Sequence, residues 1–263
     1  MKCKSVLKHS PLLKKIRSKY ALFILIAGFI FAATSPLQAQ MFSVGDSAPE
    51  FSRPTNEIYI GLQPIDMNFE GGSVQPAAAA DVFAFSGNII RLGYEGRSVD
   101  LSLGTGGEIT GINDNSYFDI GGNIDFGLPL YRSESVSLYI PFRIASRYTN
   151  VTSNQALGIQ GLNRFQFGSL TLGAGGRVEI RPSENIRIHL GALPGYGFAF
   201  ASGGFFGGSL SRVDGFGRLY LDQLFGDFGL SVGYVYDLRN YDIDEDVFDY
   251  EISGHSIELG ITF

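Results

Sequence analysis

Ser256-Ile257-Glu258-Leu259-Gly260-Ile261-Thr262-Phe263, the last eight residues, alternate without a break. Side chains of a strand repeat every two residues, so Ile257, Leu259, Ile261 and Phe263 share one face. Ser256, Glu258, Gly260 and Thr262 share the other. An apolar face opposite a small or polar one suits a strand between lipid and a polar lumen. The pattern recurs upstream. In Val136–Ile144 and in Phe118–Phe126 every even position is apolar or Gly. Phe228, Leu230, Val232, Tyr234 and Tyr236 form another such face.

The opposite terminus reads as an export signal. Lys2, Lys4, Lys8, Lys14, Lys15, Arg17 and Lys19 precede a 14-residue apolar run, Tyr20–Ala33, and then Thr34-Ser35-Pro36-Leu37-Gln38-Ala39. A basic region, a short apolar core and a terminal small residue describe a secretory signal peptide. The run is shorter than the roughly 20 residues a spanning helix requires. Cleavage is expected after Ala39, with 40–56 as a flexible periplasmic lead-in and 57–263 as the folded body. Cys3 lies in the removed part and lacks the small residues that precede a lipidated cysteine.

Without residues 1–39 the composition changes. Of the 20 Lys+Arg, 13 remain, all Arg, against 26 Asp+Glu, for a net charge near −13. So acidic a chain does not bind nucleic acid through a basic face. With no Cys left, disulfides, thiolate metal sites and a thiol nucleophile are excluded. Abundant Gly, Phe and Tyr, and no further long apolar run, favour many short strands.

Ten strands are expected, at 57–68, 82–95, 98–110, 117–130, 135–147, 164–180, 186–200, 209–222, 227–238 and 250–263. Four short connections (95–98, 131–135, 181–185 and 223–226) alternate with five longer ones (70–81, 111–116, 148–163, 201–208 and 239–249). Ten strands with both termini on the short-turn side require that count, and short periplasmic turns with longer outer loops are a barrel trait. Changes of apolar parity at Gly87–Ile89 and Gly168–Ser169 suggest bulges, and Pro64 and Pro194 suggest bulges or strand ends. Eight strands is the alternative if one span is a loop.

The signal peptide and the terminal Phe strand together resemble small bacterial outer-membrane β-barrel proteins, over about residues 57–263. The resemblance implies an all-β, up-and-down antiparallel transmembrane barrel in the outer membrane. It also implies Ile257, Leu259, Ile261 and Phe263 as an assembly signal, with the barrel-assembly machinery, periplasmic chaperones, outer-membrane lipid and lipopolysaccharide as partners. A soluble β-sandwich shares the alternation but buries its apolar faces together.

Charged residues at inward parity are the candidate functional set: Asp100, Glu108, Asp119, Arg143, Arg147, Arg177, Glu179, Arg187, His189, Arg212, Asp214, Arg218, Asp237 and Glu258. Simple hairpin registers place Glu179 opposite Arg187, Arg177 opposite His189, Asp119 opposite Arg147 and Arg212 opposite Asp237. Opposed charges at cross-strand distance stabilise each other, and unpaired ones in a narrow lumen are costly. The expectation is a charge-networked, largely filled lumen in a structural or surface-interaction protein. A narrow channel for small solutes is the alternative, since eight-stranded barrels are filled and open channels need many more strands.

An outer-membrane lipid- or peptide-processing enzyme is the least favoured reading, since no enzyme signature emerges. The omptin-type proteases have a His beside an Asp two residues away and the lipid A deacylases a His-x-Ser pair; neither His189 nor His255 has such neighbours. No cofactor is expected. Asp242, Asp244 and Asp246 match the first ligand positions of a calcium loop, but Val247 replaces the turn Gly and Ser253 the twelfth-position Glu. An acidic surface loop is the preferred reading, with weak divalent-cation binding as the alternative.

Overall fold

The computed structural model describes residues 56–69, 85–110, 115–153, 164–201, 207–243 and 249–263. The expected signal peptide, the lead-in up to residue 55 and most of the longer loops lie outside the described residues. Eleven strand segments follow in order: β1 (Glu57–Phe69), β2 (Phe85–Glu95), β3 (Val99–Gly107), β4 (Asn115–Arg132), β5 (Val136–Ser153), β6 (Arg164–Ala174), β7 (Gly176–Ser183), β8 (Ile186–Ala201), β9 (Gly208–Phe225), β10 (Phe228–Ile243) and β11 (Tyr250–Thr262).

Every pairing between neighbours is antiparallel, and β1 pairs with β11, so the sheet closes on itself. Segments β6 and β7 both lie between β5 and β8. They form one rung of the ring. Ala174 faces Phe142 and Arg177 faces Tyr139 in an unbroken register, and the Gly175 amide donates to the Pro141 carbonyl at 3.1 Å. The ladder to β8 lapses at Leu193 and Pro194, where proline offers no N–H. The barrel therefore has ten strands, which excludes the eight-strand alternative. Following hydrogen-bonded partners from Leu62 round both sides of the ring reaches Phe118 one way and Tyr131 the other. A stagger of that size goes with strands tilted by about 35–45° to the barrel axis.

The wall has a lipid-facing belt. Ile58, Ile60 and Leu62 of β1, Leu259 and Ile261 of β11, Val232 of β10 and Leu172 of β6 point outward, each about half exposed. Inward positions of the same stretch are polar. Toward the long-loop end the interior becomes apolar and, on β1, β2 and β10, the exterior polar, while β8 keeps Phe198 and Phe200 outward. Asp66, Asn68, Ser86, Asn88 and Asp242 are exposed there, while Ile65, Met67, Phe85, Ile89, Tyr117, Val151, Phe167, Leu210, Tyr241, Ile243, Tyr250 and Ile252 are buried inside. Burying such side chains is worth about 1.5–3 kcal/mol each against exposure, so this end is held together as a soluble barrel is.

That reversal corrects the expected bulges. Register runs unbroken through Gly87–Ile89 and through Gly168–Ser169. The parity of apolar residues changed because the surroundings of the two faces were exchanged, with no residue inserted. Pro64 also sits in register: its ladder to β2 is continuous, and that to β11 resumes at Ile65 without a shift. The shifts that do occur, at Pro129/Tyr131, Ile180/Ser183 and Phe228/Leu230, fall beside short turns. The reversal also explains why β5 and β10 run on to Ser153 and Ile243, into stretches expected to be loops.

Candidate functional site: the lumen

Inward charges form layers along the axis. Beneath the apolar cap, Asp119 is fully buried and accepts hydrogen bonds from Arg147 Nη1 at 2.9 and 3.0 Å and from Thr149 Oγ1 at 3.2 Å. Arg239 Nη1 donates to the same carboxylate at 3.3 Å, and Arg91 Nη2 lies 3.7 Å away. Arg239 Nη2 reaches the Tyr117 hydroxyl at 3.3 Å, tying the ionic layer to the cap. Asp237 lies 3.0 Å from Arg239, 3.5 Å from Arg212 and 3.9 Å from Arg147.

The next layers centre on single arginines. Arg143 holds Asp125 through Nε and Nη2 at 2.7 and 2.5 Å, a bidentate contact that fixes the guanidinium plane. It also meets Asp214 at 3.2 Å and Asp100 at 3.5 Å. Arg218 is shared by Glu57 at 2.9 Å, Glu95 at 2.6 Å and Glu258, and its guanidinium lies over the Tyr59 ring. Gly233 makes that possible: a Cβ there would stand 2.7 Å from Arg218 Nε. At the short-turn end, Arg187 grips Asp222 at 2.8 and 3.0 Å and stacks on Tyr220. Glu179 contacts Arg181 and lies 3.3 Å from His189 Nε2, and Arg177 lies over Tyr139.

The expected pairs are thus rearranged. Glu179 stands opposite His189, Arg177 opposite Gly191, Asp119 opposite Thr149 and Arg212 opposite Arg239. Each hairpin is centred one residue later than a symmetric reading assumes, which moves every pair by two. Arg147 still reaches Asp119, and Arg212 reaches Asp237, along the diagonal. Glu108 does not enter the lumen; it is exposed in a 3-10 turn, Glu108–Thr110, at the long-loop end.

Seven members were missing from the sequence-based set: Glu57, Arg91, Glu95, Asp125, Arg181, Asp222 and Arg239. Arg91 lies just past the parity change on β2, and Arg239 fell in an expected loop. Glu57, Glu95 and Asp222 sit at strand ends. Asp125 lies at the odd positions of β4 opposite its apolar face, as Asp119 does, and that signal would have found it.

Other expected positions are accounted for individually. His255 points outward, with its Nδ1 2.5 Å from the Tyr234 hydroxyl and its ring 5.0 Å from that of Tyr236. Asp242 is exposed and accepts from Ser209 at 3.5 Å; Asp244 and Asp246 lie outside the described residues. Ile257, Leu259 and Ile261 face outward, and Phe263 closes the ring through backbone hydrogen bonds with Asn56 at 2.9 and 3.3 Å.

No protein-family model and no curated protein sequence matches the chain. Among solved structures it is similar to the outer membrane protease OmpT from Escherichia coli, at 7% identity over 81% of this chain and 97% of that one, with a TM-score of 0.41. Neisserial surface protein A is similar at 11% identity, over 78% and 95% of the two chains, TM-score 0.30. So is Ail, the attachment invasion locus protein of Yersinia pestis, at 11%, 79% and 99%, TM-score 0.27. These likenesses are distant, and the assignment rests on the chain's own geometry. Ring closure, an outward apolar belt and a polar lumen make it a ten-stranded transmembrane β-barrel of the bacterial outer-membrane class.

Proposed function

We propose that this barrel does not conduct, and that it acts at the outer face of the membrane as a structural or surface-interaction protein. One observation carries the reading: the apolar cap lies directly over the Asp119–Arg147–Arg239 layer, so the lumen is filled at its long-loop end. Ions crossing would have to displace a dry cluster of large side chains and break a buried ionic layer. On β1, β2 and β10 the described residues continue beyond the apolar belt with a polar exterior. The terminal strand serves assembly through the barrel-assembly machinery and periplasmic chaperones, and lipopolysaccharide surrounds the outer rim. No catalytic residue is assigned.

Single-channel recording in planar bilayers tests this. Purified protein should give no conductance steps above background; regular steps would establish the channel alternative. Simultaneous replacement of Phe85, Phe167 and Ile252 by Gly should create steps if the cap is the seal.

A further inference from the structure

We propose that the lumen holds a site for a small zwitterionic solute, entered from the short-turn end, with the solute's anionic group at Arg91 and Arg147. Its cationic group would lie toward Glu95 and Glu258. The inference does not depend on what the outer loops bind. A cavity of about 110 Å³ runs from Arg91, Arg147 and Asp237 under the cap to Glu95, Arg218 and Tyr220 near the short turns. A water's share of liquid is about 30 Å³, so this space suits a few waters or one solute of small amino-acid size.

The deep end has buried donors without acceptors, while the Asp237 carboxylate, itself without a hydrogen bond, is held by ion pairs to Arg239, Arg212 and Arg147. Arg91 is 4% exposed and Arg147 6%, and both contact Asp119, which sets their guanidinium groups side by side. Yet Nε and Nη2 of Arg91 and Nε of Arg147 find no hydrogen-bond acceptor among the described residues. In this layer Arg91, Arg147, Arg212 and Arg239 divide Asp119 and Asp237 among them, with Asp214 shared between Arg212 and Arg143. Positive charge is therefore in excess where buried donors are unmet, and a carboxylate or similar oxyanion matches both deficits.

Nearer the mouth the sign reverses, because Arg218 alone faces Glu57, Glu95 and Glu258. Beside these carboxylates a simple anion is repelled and a simple cation is held short of the arginines, while Arg177, stacked over Tyr139, lines another part of the cavity. A solute carrying both charges fits both layers, and its neutrality removes the barrier to entry.

The test is calorimetric titration of the folded protein extracted from membranes, using glycine, acetate and methylammonium as separate probes. Glycine should bind saturably, with neither single-charge probe saturating at ten times its concentration. Arg91→Gln should weaken glycine at least tenfold and Glu95→Gln several-fold. Arg91→Lys, which keeps the charge but loses the fork, should fall between wild type and Arg91→Gln. Acetate binding as well as glycine, no saturable heat with any probe, or unchanged glycine affinity in Glu95→Gln would each overturn the proposal. Since Glu95 is partly exposed at the mouth, that variant remains informative if the Arg91 variants do not fold.

Discussion

The belt and the long-loop end of this barrel are built from the same ten strands with opposite polarity. In the belt, Ile60 and Leu62 face lipid, and Glu57, Tyr59 and Arg218 face inward. A few residues further along β1, Asp66 and Asn68 face outward, and Ile65 and Met67 are buried. The backbone does not change; the solvent outside does. Where hydrocarbon surrounds the wall, apolar side chains gain nothing by turning inward, and the lumen must hold the polar groups. Where water surrounds it, the ordinary hydrophobic effect applies and the interior becomes apolar. On β1, β2 and β10 the switch in polarity is where the hydrocarbon is expected to end, while β8 keeps Phe198 and Phe200 exposed up to its C-terminal end.

The largest effect that can break this contrast is expected where the two regions meet. Asp119→Ala leaves Arg147, Arg239 and Arg91 without their shared carboxylate, and removing one partner from a buried ionic group costs about 3–5 kcal/mol. Urea unfolding followed by gel-shift heat-modifiability should register the loss; a change under 1 kcal/mol would mean that the layer is not a unit.

Ile252→Ala inside the cap should cost about 3 kcal/mol, as core truncations do in soluble proteins. If the cap were loosely packed, the same unfolding assay would show little change. Charge insertion sharpens the contrast from outside: Leu62→Arg should cost about 2–4 kcal/mol, against about 0–1 kcal/mol for Asn88→Arg beyond the belt. Equal costs at the two sites would mean that the belt's outer edge has been placed wrongly.

The smallest effect concerns register. A double-mutant cycle on Arg187 and Asp222 should give a coupling of about 1 kcal/mol, since the pair contacts directly but lies near the short-turn mouth. The pair Glu179 and Arg187, which a symmetric hairpin would oppose, should show far less coupling. The reverse order would restore the symmetric register.

Much of the architecture is legible in the chain. The ten strands of the sequence reading fall within a few residues of the observed ones through the belt, because lipid outside and charge inside produce clean alternation. Legibility fails where polarity switches. Tyr148–Ser153 and Asn240–Ile243 have polar residues at the positions that are apolar lower down, so they read as loop. The candidate site was lost in the same places, Arg91 beside one switch and Arg239 beyond another.

The sequence by itself pointed to the class of fold, since a period of two over ten segments, with apolar residues on one side, was joined by a signal-like N-terminus, a terminal Phe strand and connections that alternate short and long. It also determined that the lumen would be ionic, because the charges had nowhere else to go. Only the tertiary structure decided which charges meet. That depends on where each turn is centred and how far the ring is staggered, and a displacement of one residue at a turn moves a partner by two. The cap, likewise, exists only once thirteen residues from β1, β2, β4, β5, β6, β8, β9, β10 and β11 are gathered above the ion pairs.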